Sequence, residues 1–197
     1  MFQVRFHGRG GQGVVTAAEL LASAAFHEDR HAQAFPSFGS ERMGAPVMSF
    51  CRIDDKPIRT REPVTDPDAL LIQDPTLLHS EDLFAGLTAD GYVLINSAKS
   101  VAELGLAELA AGHPADRLLV VPASALAMTH LGRPLPGAPM LGGLAAFANP
   151  VDLDAVLAAI GERFHGQVAA GNAAAARAAY EYVTAEVAQL TEEKAGA

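Results

Sequence analysis

Residues 6–13 read Phe6-His7-Gly8-Arg9-Gly10-Gly11-Gln12-Gly13, which places three glycines in G-x-G-x-x-G spacing. A strand-like apolar segment, residues 2–6, leads into this stretch, and a helix-like run, residues 14–26, leads out of it. The start of a helix has unpaired backbone N–H groups and partial positive charge, and glycines let a ligand approach the backbone closely. The stretch therefore predicts a strand–loop–helix unit that holds the phosphates of a nucleotide-containing cofactor. A tight turn without a ligand is the alternative that the motif alone leaves open.

Further strands and helices alternate downstream of this unit. Residues 69–73, 92–95 and 118–122 are continuous apolar runs, typical of strands buried on both faces of a parallel sheet. Helix-like segments follow the first two of them, at residues 75–84 and 101–111. This repeated order indicates an α/β fold, Rossmann-like and doubly wound, with a mostly parallel sheet.

The segment between the first helix and these buried strands indicates an antiparallel insert. A strand is expected at residues 32–35, and residues 47–53 alternate between apolar and polar side chains. Turn residues follow at 54–57, so we expect residues 58–61 to return as the hairpin partner of 47–53.

The C-terminal third is predicted to be helical. Helices are expected at residues 124–131, 140–148, 152–164 and 169–190, with Asp152 as an N-cap of the third. No linker divides the chain, so residues 1–197 are expected to form one domain, with a core at 2–165 and a C-terminal helix at about 169–190.

Composition excludes several classes of protein. The net charge of −9 argues against a general nucleic-acid binder, and no apolar run approaches the roughly 18 residues of a membrane helix. The single cysteine, Cys51, excludes an internal disulfide and a cysteine-ligated iron–sulfur cluster held by this chain alone. We expect a cytoplasmic protein without nucleic-acid or membrane partners, and Cys51 to be a small buried side chain.

The residues after the second strand bear on the identity of the phosphate ligand. A dinucleotide site usually has an acidic residue there for a ribose hydroxyl, whereas this chain has Ser37, Ser40 and Arg42. Hydroxyls with a guanidinium suit an additional phosphate, which coenzyme A and NADP both carry and NAD lacks. His7, beside the glycines, is either structural or a ligand contact. No metal-site spacing of histidines and no catalytic pair of side chains accompanies the loop.

Two blocks together resemble the gamma subunit of 2-oxoacid:acceptor oxidoreductases, the family that includes pyruvate:ferredoxin oxidoreductase. They are Gly8-Arg9-Gly10-Gly11-Gln12-Gly13 and Phe35-Pro36-Ser37-Phe38-Gly39-Ser40-Glu41-Arg42-Met43-Gly44-Ala45-Pro46-Val47. Pro57-Ile58-Arg59, Asp74-Pro75-Thr76-Leu77-Leu78 and Met140-Leu141-Gly142 are also similar to later blocks of that family. The similarity extends over roughly residues 3 to 165 and is far more specific than the glycine spacing alone.

The resemblance implies a multisubunit enzyme that decarboxylates a 2-oxoacid oxidatively and passes the acyl group to coenzyme A. It implies thiamine diphosphate with Mg²⁺, and 4Fe–4S clusters, on partner subunits of alpha, beta and ferredoxin-like delta type. The electron acceptor would be ferredoxin, or NAD through a flavin subunit. This chain would contribute to coenzyme A binding and to assembly, without catalytic residues or metal ligands. The cofactor-binding residues implied by matching positions are Gly8, Arg9, Gly10, Gly11, Gln12, Gly13, Ser40 and Arg42.

Two other interpretations stay open on the sequence. The first is a subunit that serves assembly alone, with a glycine loop that holds no ligand, and the second is a free-standing NADP-dependent oxidoreductase. Neither the 2-oxoacid nor the terminal acceptor is set by these residues, because relatives of the family use several of each.

Overall fold

The computed structural model describes residues 1–37 and 43–195, which form one mixed sheet with helices on both of its faces. The strands are β1 (Phe2–Arg9), β2 (His31–Pro36), β3 (Pro46–Asp54), β4 (Ala69–Ile72), β5 (Tyr92–Asn96) and β6 (Leu118–Val121). The helices are α1 (Val14–His27), α2 (Ala107–Gly112), α3 (Ala123–Leu131), α4 (Gly137–Phe147), α5 (Leu153–Arg163) and α6 (Gly166–Ala195), with short 3-10 helices at Pro75–His79 and Ala115–Arg117.

The strand order is β2-β3-β1-β4-β5-β6. The four strands from β1 to β6 in this order are parallel, whereas β3 is antiparallel to both β1 and β2. The predicted fold class, a Rossmann-like and mostly parallel α/β sheet with an antiparallel insert and a helical C-terminal part, is confirmed.

The expected partner of the antiparallel insert was wrong. Residues 58–61 form no strand, and β3 pairs with β2 instead, for example Ala34 with Cys51. On its other side β3 pairs with β1, for example Val4 with Cys51. Both edges of β3 are therefore occupied, and no edge is left for residues 58–61.

The two faces of the sheet have separate cores. Val4 and Phe6 of β1 and Leu71 of β4 contribute to a large core with helices α1, α4, α5 and α6. Leu70 and Ile72 of β4 belong to a smaller core, which residues of the first 3-10 helix and of 83–110 cover. Successive side chains of a strand point to opposite faces, so β4, β5 and β6 each supply both cores.

Helix boundaries in the smaller core differ from those expected. Instead of a helix at 75–84 there is the 3-10 helix Pro75–His79, and instead of 101–111 only Ala107–Gly112 is α-helical.

Asp152 occupies the cap position of α5, but its side chain makes no capping hydrogen bond; its N–H donates to Glu28 Oε1 at 2.6 Å instead. None of the helices in the described part of the chain is both long and apolar enough to cross a membrane.

Candidate functional site

The glycine loop lies at the point where the order of parallel strands reverses. After β1 the chain passes through α1 to β2 on one side of the sheet, whereas β4 pairs with β1 on the other side. Ligands of open α/β sheets bind in the crevice at the carboxyl ends of the strands at such a switch point. Residues 10–13 follow β1 into this crevice, and Gln73 and Asp74 follow β4 into it.

Three glycines of the loop are required by its geometry. Gly11 and Gly13 have φ of 93° and 75°, in the left-handed region that favours glycine. A β-carbon on Gly8 would lie 2.6 Å from Val14 Cγ2 and 3.2 Å from Gln73 Cβ. The loop therefore turns sharply and packs closely against α1 and β4. Gly8 and Gly13 belong to the predicted G-x-G-x-x-G spacing, whereas Gly11 lies outside it.

Backbone donors of the loop point to a ligand site. The first intrahelical bond of α1 runs from Ala17 N to Gly13 O, and no side chain of the described residues caps the helix. The preceding N–H groups, those of Val14 to Thr16, thus lack a partner within the helix. They border a cavity of about 320 Å³, which Arg9, Gly10, Gly11 and Val47 also line.

Side chains at the carboxyl end of β4 hold the loop from below. Gln12 Nε2 donates to Asp74 Oδ2 at 2.7 Å, and Gln12 Oε1 accepts from Arg9 N at 2.7 Å. The Arg9 guanidinium donates to Thr76 Oγ1 at 2.8 Å and to Gly44 O at 3.0 Å, and lies 3.4 Å from Asp74 Oδ2. The side chains of Arg9 and Gln12 are therefore engaged within the protein, and the backbone of the loop is what it offers to a ligand.

The ionisation state of Asp74 follows from these contacts. Burial by itself would raise the pKa of Asp74, but hydrogen bonds from Thr76 and Gln12 and the charge of Arg9 together hold the pKa below its usual value. The carboxylate is thus ionised at neutral pH and accepts from its neighbours.

A larger cavity of about 580 Å³ opens from the other side of the loop, between α1, α3 and α6. Gly11, Gly13 and Thr16 form one end of it, and Arg133 and Arg163 lie elsewhere along its wall. Neither guanidinium has an acidic partner within 4 Å in the described part of the chain. The cavity thus combines backbone donors, two cations and apolar wall residues.

A third opening, about 610 Å³, continues along the carboxyl ends of β4, β5 and β6. Asn96 donates to Gln73 O and Ser124 Oγ, both at 2.8 Å, and Gln73 is buried with both amide atoms lacking a partner among the residues described. Lys99 is the one lysine in its wall. These polar groups surround the loop on the β4 side.

The residues expected at the site have different outcomes. Gly8 and Arg9 end β1, and Gly10, Gly11, Gln12 and Gly13 form the loop between β1 and α1. Ser40 and Arg42 lie outside the described residues, so their contribution stays a prediction. Asp74, Thr76, Arg133 and Arg163 were missed; the switch-point rule applied to Asp74, directly after a buried strand, is the signal that would have found the first of them.

Two other residues named from the sequence lie inside the protein. Cys51 is fully buried in β3, as expected, and burial raises the pKa of its thiol. His7 is 8% exposed, and its Nε2 accepts from Arg5 Nε at 3.0 Å. Burial, and then the charge of Arg5, lower the pKa of His7 to about 3, so the ring is neutral. No group of three potential metal ligands occurs in the part of the chain that the structure describes.

Comparisons with known proteins show the family to which the chain belongs. The sequence model described as pyruvate ferredoxin/flavodoxin oxidoreductase matches residues 3–182. The chain is 45% identical over 181 residues to the pyruvate/ketoisovalerate oxidoreductases common subunit gamma of Pyrococcus abyssi, covering 92% of this chain and 96% of that protein.

Solved structures share the fold. The pyruvate oxidoreductase subunit PORC of Thermotoga maritima superposes with a TM-score of 0.77 at 35% identity, over 91% of this chain and 95% of that chain. A 2-oxoglutarate:ferredoxin oxidoreductase from Magnetococcus marinus has a TM-score of 0.70 at 15% identity, over 93% of this chain and 31% of that chain, which is a likeness of fold. The chain belongs to the pyruvate ferredoxin/flavodoxin oxidoreductase family, as a gamma subunit of a 2-oxoacid:ferredoxin oxidoreductase complex.

Proposed function

We propose that this chain supplies the coenzyme A-binding loop of a multisubunit enzyme that oxidises a 2-oxoacid to acyl-CoA, CO₂ and reduced acceptor. The observation that carries the proposal is the set of backbone N–H groups at Gly11, at Gly13 and in the first turn of α1, which border a cavity and have no hydrogen-bond acceptor among the described residues. The N–H groups of Gly10 and Gln12, in contrast, donate to Ala45 O and Arg9 O. Such groups bind phosphate through hydrogen bonds and through the positive end of the helix dipole. The Magnetococcus marinus enzyme of the same fold was solved with 2-oxoglutarate, coenzyme A and succinyl-CoA bound.

The chemistry of the larger cavity fits coenzyme A. Coenzyme A carries a diphosphate, a separate 3′-phosphate and a pantetheine arm of mixed polarity. A diphosphate at the glycine loop would leave Arg133 and Arg163 in the same cavity for further anionic groups, while Ala17 and Leu20 offer apolar contact. Arginine is suited to this role because its planar guanidinium donates two parallel hydrogen bonds to phosphate. Arg42 and Ser40 are proposed as additional phosphate contacts on the basis of the family resemblance.

A 4Fe–4S cluster does not fit this chain. A 4Fe–4S cluster needs four cysteine ligands, and the chain has one cysteine. We therefore assign the clusters to partner subunits. On the basis of the family resemblance we also assign thiamine diphosphate with its Mg²⁺ to partner subunits of alpha, beta and delta type, with ferredoxin, or NAD through a flavin subunit, as the acceptor. Apart from coenzyme A binding, the role of this chain is then assembly.

The test is the Michaelis constant for coenzyme A in the assembled complex. Gly11→Ala forces a side chain onto a left-handed backbone and against Met43 Cε at 2.9 Å, and Arg42→Ala, Arg133→Met and Arg163→Met each remove one cation. Loss of a charged phosphate contact should raise the constant about tenfold to a hundredfold, with oxoacid decarboxylation and cluster content unchanged. Arg30→Met is the control, because Arg30 lies in the turn after α1, at the far end of that helix from the loop.

The same variants distinguish a subunit that binds coenzyme A from a subunit that serves assembly alone. If none of the four variants changes the Michaelis constant for coenzyme A, the loop binds no coenzyme A and the chain serves assembly alone.

A further inference from the structure

We propose that Asp74 is a positioning residue for coenzyme A, which fixes the glycine loop in its binding conformation by acting through Gln12 and Arg9. The inference rests on the proposed function of the loop. It adds a residue outside the glycine motif, at the end of the neighbouring strand.

Two successive hydrogen bonds, with Gln12 between them, connect Asp74 to the glycine loop. Its Oδ2 accepts from Gln12 Nε2 at 2.7 Å, and Gln12 Oε1 accepts from Arg9 N at 2.7 Å. An amide has one donor end and one acceptor end, so the carboxylate decides which end of Gln12 faces Arg9. Because its acceptor end faces Arg9 N, the Gln12 side chain forms a hydrogen bond across residues 9–12 and joins the start of the loop to its end.

Arg9 connects Asp74 and the loop to a third segment, the residues around Gly44. Its guanidinium lies 3.4 Å from Asp74 Oδ2 and donates to Gly44 O at 3.0 Å, while Gly44 N donates to Gly10 O at 3.1 Å. The charge of Arg9 thus offsets that of Asp74, and the segment around Gly44 is tied to the loop by both its carbonyl and its N–H.

Asp74 is itself firmly anchored. It is 8% exposed, and its Oδ1 accepts from Thr76 N at 3.0 Å and Thr76 Oγ1 at 2.6 Å, at the start of a 3-10 helix. Both carboxylate oxygens are therefore used, one by its own turn and one by the loop. A side chain locked in this way can hold a neighbouring loop in one geometry.

A role of Asp74 through its charge and a role through its position predict opposite effects of Asp74→Asn on coenzyme A binding. A carboxylate close to a phosphate site repels the ligand, so Asp74→Asn should improve coenzyme A binding if Asp74 acts only through its charge. If Asp74 acts by position, the same variant weakens binding, because the amide group cannot present two acceptor oxygens to Thr76 and Gln12 at once.

The experiment compares variants in the assembled complex by the Michaelis constant and the turnover number with coenzyme A. We expect Asp74→Asn to raise the Michaelis constant about tenfold or more, with turnover at saturating coenzyme A and the Michaelis constant for the 2-oxoacid within about twofold. Gln12→Glu should do the same, because it places two carboxylates in contact. The double variant Gln12→Glu/Asp74→Asn should recover most of the affinity, since the new carboxylate can accept from both Arg9 N and the new amide while the total charge equals that of the parent chain.

Asp68→Asn is the matched control. Asp68 stands at the other end of β4, where its carboxylate accepts from Gln3 N at 2.8 Å, so the substitution removes a strand-end carboxylate without touching the loop. If Asp74 has a purely structural role, Asp74→Asn and Asp68→Asn will change the Michaelis constant for coenzyme A equally. The double variant Gln12→Glu/Asp74→Asn will then recover no affinity.

The outcomes distinguish this inference from the proposed function. If Gly11→Ala raises the Michaelis constant for coenzyme A and Asp74→Asn leaves it unchanged or lowers it, the positioning role is wrong and the loop site stands. If neither changes it, the loop site itself is wrong. If Asp74→Asn does not assemble, the comparison of Gln12→Glu with the double variant decides, and equal constants for these two would overturn the inference.

Discussion

Gly142 on α4 lies directly against the backbone carbonyl of Ala176 on α6, and a β-carbon at position 142 would overlap that carbonyl oxygen. Both residues are buried, and α4 is buried along most of its length. The absence of a side chain is what lets the two helix backbones approach this closely. The C-terminal helix is therefore part of the same core as the sheet, through α4.

This contact predicts a large cost for Gly142→Ala. In an open helix the change would add stability through helix propensity, by about 1 kcal/mol. At position 142 the backbone of α6 must move, so we expect the free energy of unfolding to fall by about 1–3 kcal/mol instead. Gly161→Ala on α5 is the control, because no atom outside its own helix backbone lies within 4 Å of the new β-carbon and the gain in propensity should appear. Urea unfolding of both variants measures the difference, and similar values would contradict the packing argument.

A second prediction concerns Arg5, whose side chain holds irregular segments onto the smaller core. Its guanidinium donates to Leu83 O at 2.9 Å and to Ala85 O at 2.7 Å, with a longer bond to Val64 O at 3.4 Å. Arg5→Met should lower the free energy of unfolding by about 3 kcal/mol, because the carbonyls lose a charged donor. Hydrogen exchange should rise first in residues 80–90. Arg59→Met, at an exposed position, is the control and should leave both measurements unchanged.

The parts of the fold that were predicted correctly depend on neighbours along the chain. The glycine loop and α1 follow from a local pattern, since Gly11 and Gly13 adopt conformations that few other residues tolerate. The buried strands β4, β5 and β6 follow from short apolar runs. Each of these signals lies within about a dozen residues.

The parts that were missed depend on the register between distant strands. Asp74 meets Gln12 because β1 and β4 are parallel with His7 paired to Ile72, and no local pattern records that pairing. The position of β3 between β1 and β2, rather than beside residues 58–61, is likewise a choice among sheet edges. Residues 80–91 and 97–106, on either side of β5, cover the smaller core with little regular structure, so periodicity could not place helices there.

A third prediction isolates the backbone strain of the glycine loop. Apart from its own residue and chain neighbours, no atom lies within 4 Å of a β-carbon built on Gly13, so Gly13→Ala is opposed only by the φ of 75°. We expect a loss of about 1–2 kcal/mol in the free energy of unfolding, and a smaller loss for Gly13→Asn, because asparagine tolerates this conformation better. Gly112→Ala is the matched control, since position 112 is equally open but has no such φ. Equal losses at positions 13 and 112 in thermal unfolding would contradict the strain.

The last prediction concerns pH and His7. Arg5 Nε donates to His7 Nε2 at 3.0 Å, and burial lowers the pKa of His7 to about 3 from an ordinary value of 6.5. As the pH falls from about 6.5 toward 3, the unfolded chain therefore binds a proton that the native chain does not, and stability is lost over that window. His7 should account for a loss of roughly 2 kcal/mol between pH 7 and pH 5. His7→Gln keeps an acceptor for Arg5 but does not titrate, so its free energy of unfolding should depend less on pH by that amount. Urea unfolding at pH 7 and at pH 5 measures this difference. If His7→Gln has the same pH dependence as the parent chain, the ring of His7 binds its proton as readily in the folded protein as in the unfolded chain, and the prediction is wrong.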